Sequence, residues 1–98
     1  MSNVLVVTGD HIGQKMAGQA IRSWNISLAL SAENSVKLVT IEQLKPVEAP
    51  FEVLLVRARE HGRFAKLVAW ADVIVFQGHI REQVGAIRRT RKIVVAGI

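Results

Sequence analysis

Four-residue apolar runs recur along this chain and leave few folds open to it: Val4-Leu5-Val6-Val7, Val53-Leu54-Leu55-Val56, Val73-Ile74-Val75-Phe76 and Ile93-Val94-Val95-Ala96. A strand that is apolar along its whole length has no solvent side, so it belongs in a parallel sheet covered on both faces. With Val36-Lys37-Leu38-Val39-Thr40-Ile41, the pattern predicts five strands, over residues 3–8, 36–41, 51–56, 73–76 and 92–96. The third admits a second reading, because residues 54–59 also fit the start of a helix.

Helical spacing fills most of the gaps. Over residues 18–32, Ala17, Ile21, Trp24 and Leu28 recur at three and four and are expected to face the sheet. Ile26 and Leu30 lie nearly opposite, and are expected near a surface completed by sequence outside this chain. Asn34 is the expected left-handed stop. A second helix is read over residues 57–71, with His61, Phe64, Leu67, Val68 and Ala71 on one face. A third carries Ile80, Val84 and Ile87 inward and Arg81, Arg88 and Arg89 outward. Residues 42–50, with Pro46 and Pro50, read as a loop.

Strands alternating with helices imply right-handed crossovers. The expected fold is therefore α/β: one doubly wound parallel sheet of about five strands, order 3-2-1-4-5, in three α/β/α layers. Such sheets bind ligands outside the carboxyl ends of the strands, at the switch point, here between the first and fourth strands. The loop over residues 9–18 and the segment Gln77-Gly78-His79 border it.

That first loop reads Gly9-Asp10-His11-Ile12-Gly13-Gln14-Lys15-Met16-Ala17-Gly18. A glycine-rich turn between a strand and a helix brings free N–H groups and the positive helix end together, which suits a phosphate or carboxylate. Its spacing is not the dinucleotide G-x-G-x-x-G, and Gln19-Ala20 stands where a P-loop needs Lys and Ser or Thr. A P-loop NTPase is excluded. The glycines alternatively serve only the turn and close helix packing.

Ninety-eight residues make one domain. The chain has no cysteine, and hence no disulfide, thiolate metal site or cysteine nucleophile. Its apolar stretches of four or five residues fall far below the ~20 that span a bilayer, so a soluble, cytoplasmic protein is expected. A formal charge of +5 favours anionic partners. Three dispersed histidines give no zinc spacing, and no metal is expected. His11 and Asp10 either touch substrate or order the turn.

Several stretches carry a resemblance: Val4-Leu5-Val6-Val7-Thr8, then Gly13-Gln14-Lys15-Met16-Ala17-Gly18-Gln19-Ala20-Ile21-Arg22-Ser23-Trp24, and Trp70-Ala71-Asp72-Val73-Ile74-Val75-Phe76-Gln77-Gly78. Together they resemble the N-terminal Rossmann-like half of GT-B glycosyltransferases, in the group-four, retaining, nucleotide-sugar-dependent branch. The resemblance implies an acceptor-side domain whose first loop also reaches the donor diphosphate. It implies Gly13, Lys15, Gly18 and Arg22 as donor-diphosphate or acceptor contacts. Where the family has a glycine pair this chain has Ala17-Gly18, and Gln77 stands where many members have a sugar-contacting histidine, with His79 two residues on. Gln77 and His79 are the candidate catalytic positions.

The resemblance implies further partners. A second, C-terminal nucleotide-binding domain is expected from a longer protein, together with a sugar acceptor. The nucleotide sugar is then the substrate of the full-length protein, no cofactor belongs to this domain alone, and the chain by itself is expected to be inactive. Arg81, Arg88, Arg89, Arg91 and Lys92 form a basic patch suited to a peripheral contact with an anionic membrane at its inner face. Without tyrosine or aromatics interleaved among the basic residues, nucleic acid is not an expected partner. The alternative is a stand-alone flavodoxin-like module that binds an anionic ligand or a protein through the same loop.

Overall fold

A computed structural model describes residues 1–16, 18–76, 84, 85, 87, 90 and 92–96. The elements run β1 (Asn3–Thr8), α1 (Gln19–Ser31), β2 (Ser35–Thr40), β3 (Glu52–Leu55), α2 (His61–Trp70), β4 (Val73–Phe76) and β5 (Ile93–Ala96). The protein is α/β, with β3, β2, β1 and β4 side by side in that order, all parallel. Ile93 to Ala96 run parallel to β4, with Val73 opposite Ile93 and Phe76 opposite Ala96.

Strand β1 sits between β2 and β4, and its side chains alternate between two cores. Leu5 and Val7 join Val39, Ile74 and Phe76 on the face that takes Phe64, Leu67 and Val68 of α2. Val84 and Ile87, two expected core positions of the third helix, are buried there as well, while Ile80 lies outside the described residues. Val4 and Val6 join Val36, Leu38 and Val75 on the other face, against Trp24 and Leu30 of α1. Burying a whole Val or Leu side chain contributes about 1.5–3 kcal/mol, so these two layers dominate the stabilising energy.

Helix α1 lies on the sheet in a different phase from the expected one. Its buried residues are Ala20, Ser23 and Ser27, whereas Ile21 and Leu28 are 44% and 40% exposed. Small residues along the contact line let the helix axis come close to the strands, and the larger Trp24 and Leu30 then reach the core from the flanks. Trp24 meets Phe51 edge to face at 5.0 Å. Leu30 packs against the sheet core and Ile26 is half-buried, so neither residue of the expected pair is fully enclosed within this domain. Ala17 lies outside the described residues.

The end of α1 is also made differently. Among the described residues no residue other than glycine has positive φ, so Asn34 is not a left-handed stop. Its side-chain Nδ2 and its backbone N–H both donate to the Leu30 carbonyl at 3.0 Å, and its Oδ1 accepts from the Ser2 N–H at 2.9 Å. The side chain does the capping that αL geometry otherwise does.

Helix α2 starts later than expected, at His61, after a turn in which the Glu60 N–H donates to the Arg57 carbonyl. The helix reading of residues 54–59 is thereby replaced by the end of β3 and this turn. His61 is exposed rather than part of the packed stripe, while Phe64, Leu67, Val68 and Ala71 are buried as expected. Glu60 accepts from the Arg57 N–H at 2.6 Å and from Arg63 Nη1 at 3.1 Å. The bond from the Arg57 backbone and then that from Arg63 hold its carboxyl below the ordinary value of 4.5.

At the other end of α2, Lys92 Nζ donates to the carbonyls of Val68, Ala69 and Ala71 at 2.6, 2.7 and 2.6 Å. All three ammonium donors are used on the orphan carbonyls of the helix end, where the dipole favours a cation. Lys92 is therefore a cap of α2 and not an outward member of the basic patch. Arg81, Arg88, Arg89 and Arg91 lie outside the described residues.

Candidate functional site

The β2–β3 connection over residues 41–51 contains no helix, as its prolines require, and runs instead beneath the β1–α1 loop. Ile12 and Leu44 form a parallel bridge. The Ile12 N–H donates to the Gln43 carbonyl and the Lys45 N–H to the Ile12 carbonyl, each at 2.8 Å. Thr40 Oγ1 donates to the Asp10 carbonyl at 2.7 Å and accepts from the Glu42 N–H at 3.1 Å. Arg57 Nη1 donates to the Glu42 carbonyl from the start of the α2 turn. Ile12 is fully buried between the loops. Two loops at the carboxyl end of the sheet are thus tied into one rim.

A cleft of about 450 Å³ opens along that rim, lined by His11, Gly13, Gln14, Lys15, Lys45 and Pro46. A Cβ on Gly13 would stand 3.2 Å from Lys45 Cβ, so the lysine stem lies directly on the glycine. A side chain at residue 13 would push the Lys45 stem aside by a few tenths of an ångström. His11 Nε2 lies 2.8 Å from the Lys15 carbonyl. Because a carbonyl only accepts, Nε2 carries the proton in that bond and Nδ1 is the ring's other polar atom. A second, more apolar hollow of about 330 Å³ continues past Lys45 and Pro46 to Leu44, Val47 and Val53.

Gly18 precedes α1 with φ 57° and ψ −121°. Those values match the first central position of a type II′ turn, a conformation essentially restricted to glycine. The only described atom within 4 Å of a would-be Cβ there is Asp10 Oδ2, at 3.8 Å. Space is available, so backbone conformation and not close packing requires glycine at 18. Asp10 places a carboxylate beside the first turn of α1, and the positive charge of the rim sits across from it on Lys15 and Lys45.

Of the four residues singled out for anion or acceptor contact, the structure brings Gly13 and Lys15 into the cleft. Gly18 forms the turn that ends the same loop, and Arg22 is exposed one turn into α1. Lys45 and Pro46 were not expected at a site. Pro46 signalled only a loop, and nothing in the spacing ties residues 44–46 to residues 12–15. Gln77 and His79 lie outside the described residues. Among the described residues no three His, Cys, Asp or Glu side chains are grouped to hold a metal ion, and no helix is long and apolar enough to cross a membrane. No family model matches the chain, and neither a curated protein nor a solved structure does.

Proposed function

We propose that this chain is the acceptor-side, Rossmann-like domain of a nucleotide-sugar-dependent GT-B glycosyltransferase, and that its β1–α1 loop is the platform on which donor diphosphate and acceptor meet. In this reading the sheet is doubly wound in three layers with Ile93–Ala96 as its fifth strand. Support comes from the parallel register against β4 and from the burial of both faces of β1. A second Rossmann-like domain holds most of the nucleotide sugar, so this domain orients substrates and does not complete the transfer alone.

The observation that carries the reading is the Gly18 turn. It stands at the carboxyl end of the central strand and at the head of α1, within the segment Lys15 to Arg22 that resembles the family. The turn heads α1, whose first N–H groups and positive dipole end favour an approaching oxygen, as diphosphate recognition requires. Lys15 adds a charge-assisted donor, and Asp10 Oδ2 accepts an acceptor hydroxyl.

Calorimetry with UDP and GDP tests this on the 98-residue chain. Weak binding of at least one, lost in Gly18→Ala while a melting curve shows the variant still folded, is the expected outcome. Binding unchanged by Gly18→Ala, or none by the parent chain, would contradict it and favour the alternative of a flavodoxin-like binding module. Ala at that backbone costs about 1–3 kcal/mol of stability.

A further inference from the structure

We propose that the cleft between His11–Lys15 and Lys45–Pro46 is a binding site for a small phosphate monoester, which shares Lys15 with the diphosphate contacts proposed above and is distinguished from them by Lys45. The inference goes beyond glycosyl transfer, since it rests on the cleft alone.

Three features make the cleft a site. Its volume of about 450 Å³ lies in the range of small-molecule pockets. Its two lysines come from different loops, Lys15 before α1 and Lys45 before β3, and neither is in an ion pair among the described residues. An anion held in the cleft is attracted to both lysines at once. The walls are also fixed before a ligand arrives. The Ile12–Leu44 bridge ties one loop to the other, and the Lys45 stem rests closely on Gly13, 3.2 Å from where a Cβ would stand. Preorganisation of this kind removes ordering costs from binding.

Charge selects the ligand class. A phosphate monoester carries about −1.5 to −2 at pH 7, matching two lysines, whereas a carboxylate supplies only half of that. His11 contributes a polar atom of its own: with Nε2–H committed to the Lys15 carbonyl, Nδ1 is left as an acceptor for a hydroxyl of the ester's alcohol part. The Gln14 amide, also in the lining, donates and accepts. An inorganic phosphate ion satisfies the lysines but brings no alcohol part to fill the rest of the cleft beside His11 and Gln14.

The test is calorimetric titration of the 98-residue chain in phosphate-free, low-salt buffer with glycerol 2-phosphate, inorganic phosphate and acetate. Glycerol 2-phosphate binds most tightly, and Lys15→Gln or Lys45→Gln each weakens it about tenfold, the loss of one hydrogen bond to a charged group. Gly13→Ala, which shifts the Lys45 stem by only a few tenths of an ångström, weakens it less than either lysine variant, whereas Lys66→Gln on the exposed face of α2 leaves it unchanged. Melting curves confirm that each variant is folded. No binding, equal loss in Lys66→Gln and Lys45→Gln, or inorganic phosphate binding as tightly as the ester would overturn the assignment. UDP binding that survives Lys45→Gln while the ester fails to bind sinks this site alone. The reverse result, ester binding without any UDP binding, sinks the glycosyltransferase reading alone.

Discussion

Ser23 and Ser27 sit on the same buried face of α1 but differ in what their hydroxyls touch. Ser27 Oγ donates to the Ser23 carbonyl at 2.8 Å, while Ser23 Oγ is buried with no partner among the described residues. An unsatisfied buried hydroxyl costs about 1–3 kcal/mol, whereas a made hydrogen bond contributes about 1 kcal/mol. Ser23→Ala should therefore raise the unfolding free energy by about 1 kcal/mol and Ser27→Ala lower it by a similar amount. Denaturant titration of the two variants checks the sign of each. Glu60 gives a pH-dependent counterpart. Its folded pKa is depressed below 4.5 by the Arg57 N–H and Arg63, so its contribution is present above 4.5 and is lost as pH falls through the folded value. Acid titration followed by far-ultraviolet circular dichroism should show the start of α2 loosening below pH 4.5, and Glu60→Gln should remove that response. Neither behaviour was legible in the sequence. Which hydroxyl meets a carbonyl, and which carboxylate meets a backbone N–H, is set by helix phase and turn geometry that residue spacing does not encode.

Element existence was far more legible than element orientation. The four-residue runs in β1 and β4 placed those strands correctly, because continuous apolarity allows no other exposure pattern in a parallel sheet. Helix α1 was placed to within a residue or so at each end, yet its buried face was misread. Hydrophobic spacing assigns the largest apolar residues to the core, but a helix that packs closely on a sheet places its smallest residues on the contact line and leaves Ile21 and Leu28 outside. The corrected phase makes opposite demands on neighbouring positions. Ile21→Lys and Leu28→Lys should change stability by no more than about 0.5 kcal/mol. Ala20→Leu, at a fully buried position, should cost about 1–3 kcal/mol by overpacking. Thermal melts that rank these variants the other way would restore the phase read from spacing. The cleft was only half legible for a related reason. Glycines and a lysine announced the β1–α1 loop, but its opposite wall depends on a long-range bridge between residues 12 and 44 that no local pattern encodes.

On the scale of the whole molecule, two apolar layers clamp β1 from both sides, and the ends of β1 and β2 carry the rim that lines the cleft. The division of labour follows from the physics of a parallel sheet: its interior has no room for polar chemistry, so chemistry collects in the loops at the carboxyl ends. Here the rim is cationic at Lys15 and Lys45 and anionic at Asp10, on a chain whose net charge is +5. That arrangement suits an anionic ligand bearing hydroxyl groups. The central claim is that the rim formed by the β1–α1 loop receives a nucleotide diphosphate, and the most direct measurement is a two-dimensional ¹⁵N–¹H NMR titration of the chain with UDP. The account predicts shifts concentrated at Gly13, Lys15 and Gly18, with α2 undisturbed. No shifts, or shifts confined to α2 and the exposed face of α1, would contradict it.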